Sequence, residues 1–200
     1  MQTLITNSLN NSMSYSSFKK LVYDLLQQGK STGKNQSDAL LNYSLLSDKR
    51  MKRLDKTIKL TDETITSIKK YKNNITMLVL MESWCGDGAQ TLPVMNKIAT
   101  LNPKISFKVL LRDENEDLMN QFLTNGGQSI PKLLFIDDKT KQVLKTWSPR
   151  PSVATKMVNE YKEKHGKLDA DFKKDLQIWY NKDKGVSTQT DLVKIFEEMN

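Results

Sequence analysis

Apolar residues in the middle of the chain form short runs and alternations that predict β-strands. Residues 75–81 are a near-continuous apolar run, which is typical of a strand that is covered on both faces. Residues 105–111 alternate between apolar and polar positions, which predicts a second strand. Two further predicted strands, 132–136 and 142–147, flank a turn at 137–140 and are close enough to form an antiparallel hairpin.

Helical spacing of apolar residues predicts helices between these strands and at both ends of the chain. In the region of the sheet, the predicted helices cover 88–101, 115–123 and 152–165. Five more are predicted outside it: around 18–26, over 37–54, from Thr61 as N-cap, and over 169–181 and 189–199. The order strand, helix, strand implies parallel pairing through a right-handed crossover. The predicted fold class is α/β, with a central mixed sheet of about four strands flanked by helices and extra N- and C-terminal helices.

The chain divides by composition into a polar start, a helical segment, a sheet region and a helical end. Residues 1–14 are rich in Ser, Asn and Thr, and we expect them to be disordered. We expect an N-terminal helical extension over 15–59, the α/β domain over 60–165, and a C-terminal helical extension over 166–200.

The first residues lack the basic start and compact apolar stretch of a signal peptide. No apolar run reaches the roughly 18 residues that a membrane-spanning helix needs. We therefore expect a cytoplasmic protein without a membrane partner.

The formal net charge of +8 raises the question of an acidic partner such as a nucleic acid. The lysines are spread along the chain, however, and Asp and Glu are interleaved with many of them. This arrangement favours solvated helix faces over a nucleic-acid-binding surface. The alternative predicts an affinity for DNA or RNA that falls steeply with salt.

The chain contains one cysteine and one histidine. A single cysteine excludes an intrachain disulfide and a redox cycle between two thiols of the same chain. With so few soft ligands, we expect no conventional zinc site. The sequence predicts no cofactor.

The cysteine, Cys85, follows the first predicted strand and precedes a predicted helix. The unsatisfied N–H groups and the positive dipole end of that helix favour a thiolate. Gly86 and Gly88 allow a tight turn and should leave the sulfur accessible, whereas Trp84 could shield one side. Asp87 acts against the thiolate because a nearby carboxylate raises a thiol pKa. The sequence does not decide between a reactive thiol and an ordinary small buried side chain.

These residues carry a resemblance to a known family. The residues Trp84 to Gly88 resemble the Trp-Cys-Gly-Pro-Cys active-site motif of thioredoxins, and Pro93 matches the helix-kinking proline that follows it. The dipeptide at 130–131 resembles the Ile-Pro whose cis-proline faces the active-site cysteine. The resemblance covers roughly residues 60–165 and implies a thioredoxin-like fold. It also implies a catalytic Cys85 in an environment built from Trp84, Gly86, Asp87, Gly88, Ile130 and Pro131.

More closely, the chain resembles a bacterial subfamily that has Trp-Cys-Gly-Asp and no second active-site cysteine. The stretches 82–99, 148–151 and 176–192 carry this closer resemblance.

The departures from thioredoxin limit the chemistry that the resemblance implies. Gly88 stands in place of the resolving cysteine, Asp87 in place of the proline between the thiols, and Val79 in place of a buried acid. The chain cannot supply the second thiolate that releases a mixed disulfide. We expect a monothiol disulfide oxidoreductase acting on protein or low-molecular-weight thiols and disulfides. The alternative is a non-catalytic binding module, and the sequence predicts no oligomeric state.

Overall fold

The computed structural model describes residues 1–199 and consists of a central sheet with helices before, between and after its strands. The strands are β1 (Met13–Ser14), β2 (Ile75–Met81), β3 (Ile105–Leu111), β4 (Lys132–Asp137) and β5 (Val143–Trp147). The helices are α1 (Gln2–Asn11), α2 (Tyr15–Gln27), α3 (Asp38–Thr57), α4 (Asp62–Lys70), α5 (Gly86–Ala99), α6 (Glu116–Met119), α7 (Ser152–His165), α8 (Ala170–Asp183) and α9 (Val186–Glu198). A short 3₁₀ turn covers Arg112–Glu114. No helix within residues 1–199 is both long enough and apolar enough to cross a membrane.

The strands within the described residues lie in the order β1-β3-β2-β4-β5. β2 is parallel to β3, with Ile75 opposite Ile105, and antiparallel to β4. β4 and β5 form the expected antiparallel hairpin. The predicted mixed sheet is therefore confirmed, and β1 adds a two-residue strand, antiparallel to β3, that no apolar pattern indicated.

The prediction that residues 1–14 are disordered is wrong. Residues Gln2–Asn11 form α1, and the side chain of Ile5 is completely buried in the core. Most stability of a short helix comes from tertiary packing of its apolar face and not from its own sequence. The polar composition of this segment therefore concealed three apolar side chains that pack against the core, the buried Ile5 and the partly buried Leu4 and Leu9. The predicted limits at 60 and 165 stay predictions.

The main hydrophobic core includes side chains from both ends of the chain. β2 is buried along its whole length, as its apolar run predicts. Ile5 of α1, Phe18 of α2, Met51 of α3 and Phe196 of α9 belong to the same cluster as β2. A smaller, separate cluster joins α7 to α8; its buried members are Ala154, Val158, Phe172, Leu176 and Tyr180.

Candidate active site

Cys85 lies at the junction of β2 and α5, where the sequence placed it. It is the N-cap of α5, and its Sγ accepts a hydrogen bond from Gly88 N at 3.4 Å. The same Sγ donates to the carbonyl oxygen of Ile130 at 3.3 Å. The Ile130–Pro131 peptide bond is cis. The structure thus brings the helix start and the segment before β4 together at the sulfur.

The thiol is not exposed, and the expectation that the glycine turn leaves it accessible is wrong. Cys85 is 7% exposed. A Cβ atom at Gly86 would lie 3.4 Å from both Arg50 Nη1 of α3 and Gln177 Nε2 of α8. Side chains of two helices outside the sheet region therefore pack over the turn, and this packing could not be inferred from the motif.

The opposing effects on the thiol, which the sequence left undecided, are resolved by this burial. Burial raises the pKa of Cys85 to about 12, and the Asp87 carboxylate adds to the increase. Hydrogen bonds from the backbone N–H groups of Gly88 and Asp87, and the charge of Arg150, act in the opposite direction but are weaker. In this arrangement the thiol is protonated at neutral pH.

Asp87 is the centre of a small polar cluster. Its Oδ2 forms an ion pair with Arg150 Nη2 at 2.8 Å, and its Oδ1 accepts a hydrogen bond from the hydroxyl of Tyr180 at 3.0 Å. Burial raises the pKa of Asp87, while Arg150 and the Tyr180 hydroxyl act to lower it. From the sequence, Arg150 was a candidate to cover the edge of the active site and Tyr180 a candidate to dock the terminal helix, but neither was expected to bind Asp87. Both residues also fall in stretches, 148–151 and 176–192, that resemble the Trp-Cys-Gly-Asp proteins.

Gly88, which stands in place of the resolving cysteine, lies against the side chain of Met81. A Cβ atom here would lie 2.1 Å from Met81 Sδ and 2.3 Å from Met81 Cε. The end of the Met81 side chain therefore fills the space that a second thiol would need. The φ angle of Gly88 is not positive, so close approach, and not turn geometry, accounts for the glycine.

Trp84 and Ser83 connect the turn to its surroundings. The guanidinium of Arg112 lies over the Trp84 ring, 5.1 Å from its centroid, in a cation–π arrangement. The Ser83 hydroxyl accepts from Thr32 N at 3.0 Å and lies 2.7 Å from the Ser44 hydroxyl. Residues ahead of the sheet region thus hold the strand end in place.

A buried acid is present, although not at the position that the resemblance implied. Val79 is fully buried and apolar, as its place in β2 predicts. Glu82, immediately after β2, is also fully buried, and its Oε1 accepts from Asp113 N at 2.9 Å. Among residues 1–199, Glu82 Oε2 has no hydrogen-bond partner, and burial raises the pKa of this carboxyl. The sequence does carry a signal for this acid, because Glu82 directly follows the apolar run 75–81.

The comparisons with known proteins agree with this fold. The family model described as thioredoxin matches residues 33–162, so the chain belongs to the thioredoxin family. This match begins well before residue 60, where the sequence suggested that the α/β domain starts. No curated protein sequence matches the chain.

Two solved structures share the fold at low sequence identity. One is an HIV epitope scaffold, with 15% identity and a TM-score of 0.57. The other is a protein of unknown function from Pseudomonas aeruginosa, with 16% identity and a TM-score of 0.55. Each match covers 94% of this chain and 99% of the other. The shared fold therefore extends beyond the residues of the family match and includes helices at the ends.

Proposed function

We propose that this protein exchanges disulfides through the single thiol of Cys85. The observation that carries the proposal is the position of Sγ, between the Gly88 N–H at the start of α5 and the Ile130 carbonyl beside Pro131. Backbone N–H groups at a helix start stabilise a thiolate, which is the attacking species in exchange. The backbone next to Pro131 would pair with an extended peptide carrying the disulfide.

The exchange needs one external thiol for each cycle. The Cys85 thiolate attacks one sulfur of a disulfide and forms a mixed disulfide, and the other sulfur leaves as a thiolate that takes up the proton lost by Cys85. A low-molecular-weight thiolate then attacks the mixed disulfide, so that Cys85 is restored and a new disulfide forms. No second cysteine of this chain takes part, which agrees with the glycine at position 88.

The same proposal places the protein in the Trp-Cys-Gly-Asp subfamily and in the cytoplasm. The motif at 84–87 and the residues at 150 and 180, which join Asp87, support membership of the Trp-Cys-Gly-Asp subfamily. A cytoplasmic setting keeps thiols reduced and supplies the external thiol.

The second candidate is a non-catalytic binding module on the same fold. The burial of Cys85, which raises its thiol pKa to about 12, favours this function. A protonated, covered thiol is a poor nucleophile, so exchange requires that the site open before reaction.

A deglutathionylation assay separates the two functions. A peptide carrying glutathione on its cysteine serves as the disulfide, reduced glutathione as the external thiol, and the appearance of glutathione disulfide as the signal. The proposal predicts turnover by the wild type above the rate with Cys85→Ser, a variant that differs by one atom. Equal rates for the two correctly folded proteins would contradict the exchange function and favour the binding module.

A further inference from the structure

α8 contacts the cysteine turn through polar side chains on one of its faces. Tyr180 donates to Asp87, and Gln177 Oε1 accepts a hydrogen bond from Gln90 Nε2 of α5 at 3.0 Å. Gln177 also borders Gly86, where a Cβ atom would lie 3.4 Å from Gln177 Nε2. One turn further on, Asn181 Oδ1 accepts from Arg53 Nη2 of α3 at 2.7 Å. The helix therefore lies across the turn that holds the thiol.

The apolar contacts of α8 are made with a different partner. Phe172, Leu176 and Tyr180 pack with Ala154 and Val158 of α7, in a cluster that is separate from the main core. The hydrophobic effect thus fixes α8 to α7, whereas the contacts named above fix it to the cysteine turn by hydrogen bonds. A typical hydrogen bond stabilises a folded structure only modestly, because water replaces it when it opens.

The connection from α8 to α9 can serve as a hinge. Lys184 and Gly185 both have left-handed backbone angles, with φ of 54° and 79°. A Cβ atom at Gly185 would lie 2.7 Å from Val94 Cγ2, so this end is fixed against α5. α9 is fixed too, since Leu192 and Phe196 are completely buried in the main core. Hinges are short segments at the ends of elements that absorb changes of φ and ψ.

We propose that α8 is a cover for Cys85, held closed by Tyr180 on Asp87 and by Gln177 on Gln90, and that its displacement exposes the thiol. This inference rests on the proposed function for its biological meaning, since it describes how exchange at Cys85 is regulated. Its physical content, a helix that opens and uncovers a sulfur, is tested without any substrate.

The test compares Tyr180→Phe with Tyr161→Phe. Both remove one phenol hydroxyl from the α7–α8 pair, but Tyr161 bonds to Asp169 at the start of α8 and not to the turn. Because Cys85 is the only cysteine, its reaction with Ellman's reagent reports exposure of this sulfur alone. We expect Tyr180→Phe to speed the reaction about tenfold, the effect of losing one hydrogen bond to a charged group. Tyr161→Phe should change it less than twofold.

Amide hydrogen exchange provides an independent readout, because removal of the Tyr180 hydroxyl also alters the surroundings of Asp87. The cover predicts faster exchange in α8 of Tyr180→Phe and unchanged exchange in α9. A faster thiol reaction without faster exchange in α8 would overturn the cover, as would an unchanged thiol reaction. Gln177→Ala, at a half-buried position, repeats the test without touching Asp87.

The outcomes also separate the cover from the proposed function. If Tyr180→Phe uncovers the thiol but neither it nor the wild type turns over the glutathionylated peptide, the exchange function fails and the cover stands. If the wild type turns over the peptide, but Cys85 reacts no faster in Tyr180→Phe and Gln177→Ala than in the wild type, the exchange function stands and the cover fails.

Discussion

The substitution Gly88→Ala tests why a glycine stands at the position of the resolving cysteine. The added Cβ would lie 2.1 Å from Met81 Sδ, whereas nonbonded carbon contacts are most favourable at about 3.5–4.0 Å. Met81 is completely buried in β2, so its side chain must move within a packed core. Overpacking of this kind costs about 1–3 kcal/mol, and the better helix propensity of Ala returns up to about 1 kcal/mol. We expect a net loss of up to about 2 kcal/mol in the free energy of unfolding.

Urea denaturation measures this loss, with Gly127→Ala as the matched control. At Gly127 a Cβ would have ordinary contacts, 3.5 Å from the Thr124 carbonyl oxygen and 3.7 Å from the Ser129 hydroxyl, so the change should stay within about 0.5 kcal/mol. A double-mutant cycle with Met81→Val should show that Gly88→Ala costs less once the longer side chain is gone. Packing against Met81 is refuted as the cause if Gly88→Ala costs as much stability in the Met81→Val background as it does in the wild type.

Three further predictions concern the charge at the site and the first helix. Asp87→Asn removes the negative charge beside the thiol and leaves the positive charge of Arg150. The pKa of Cys85 should therefore fall by about one to two units in a titration of thiolate absorbance. An unchanged pKa would mean that burial alone raises the pKa of this thiol. Because the folded pKa of Cys85 lies above that of an unfolded cysteine, the folded state retains a proton that the unfolded state has lost. The free energy of unfolding should therefore fall by up to about 1.4 kcal/mol per pH unit between about pH 8.5 and pH 10, below the range in which the buried tyrosines ionise on unfolding. Cys85→Ala should lack this decline in urea melts. Ile5→Ala should cost about 2–5 kcal/mol of stability, whereas a loss under about 0.5 kcal/mol would mean that α1 does not pack in the core.

Much of the fold could be predicted because its signals are local. The apolar run of β2 and the alternation of β3 each lie within seven residues, and the hairpin of β4 and β5 is marked by its turn. Thr61 caps α4 as expected, since its hydroxyl accepts from Thr64 N at 3.1 Å. α1 escaped prediction because its position depends on the tertiary contacts of a few apolar residues within a polar segment.

The site was only partly visible in the sequence. The motif and the Ile-Pro dipeptide named the two segments that hydrogen-bond to Cys85, whereas the side chains around Asp87 and the burial of the thiol come from distant parts of the chain. The thiol pKa depends on the burial of Cys85, and Tyr180, which bonds to Asp87, is 93 positions away from it in the chain. No local sequence pattern encodes such a contact. Whether the thiol pKa is raised or lowered by the opposing electrostatic effects depends on how deeply the sulfur is buried, which the sequence does not show.

Whether Cys85 forms mixed disulfides in the folded protein is the most direct test of the account. The protein is incubated with oxidised glutathione at neutral pH, and intact mass spectrometry follows one addition per chain. We predict a slow, single addition to the wild type, faster addition to Tyr180→Phe, none to Cys85→Ser, and full reversal by reduced glutathione. Exchange through Cys85 would be contradicted if the folded wild type and folded Tyr180→Phe both stay unmodified while the urea-unfolded wild type reacts.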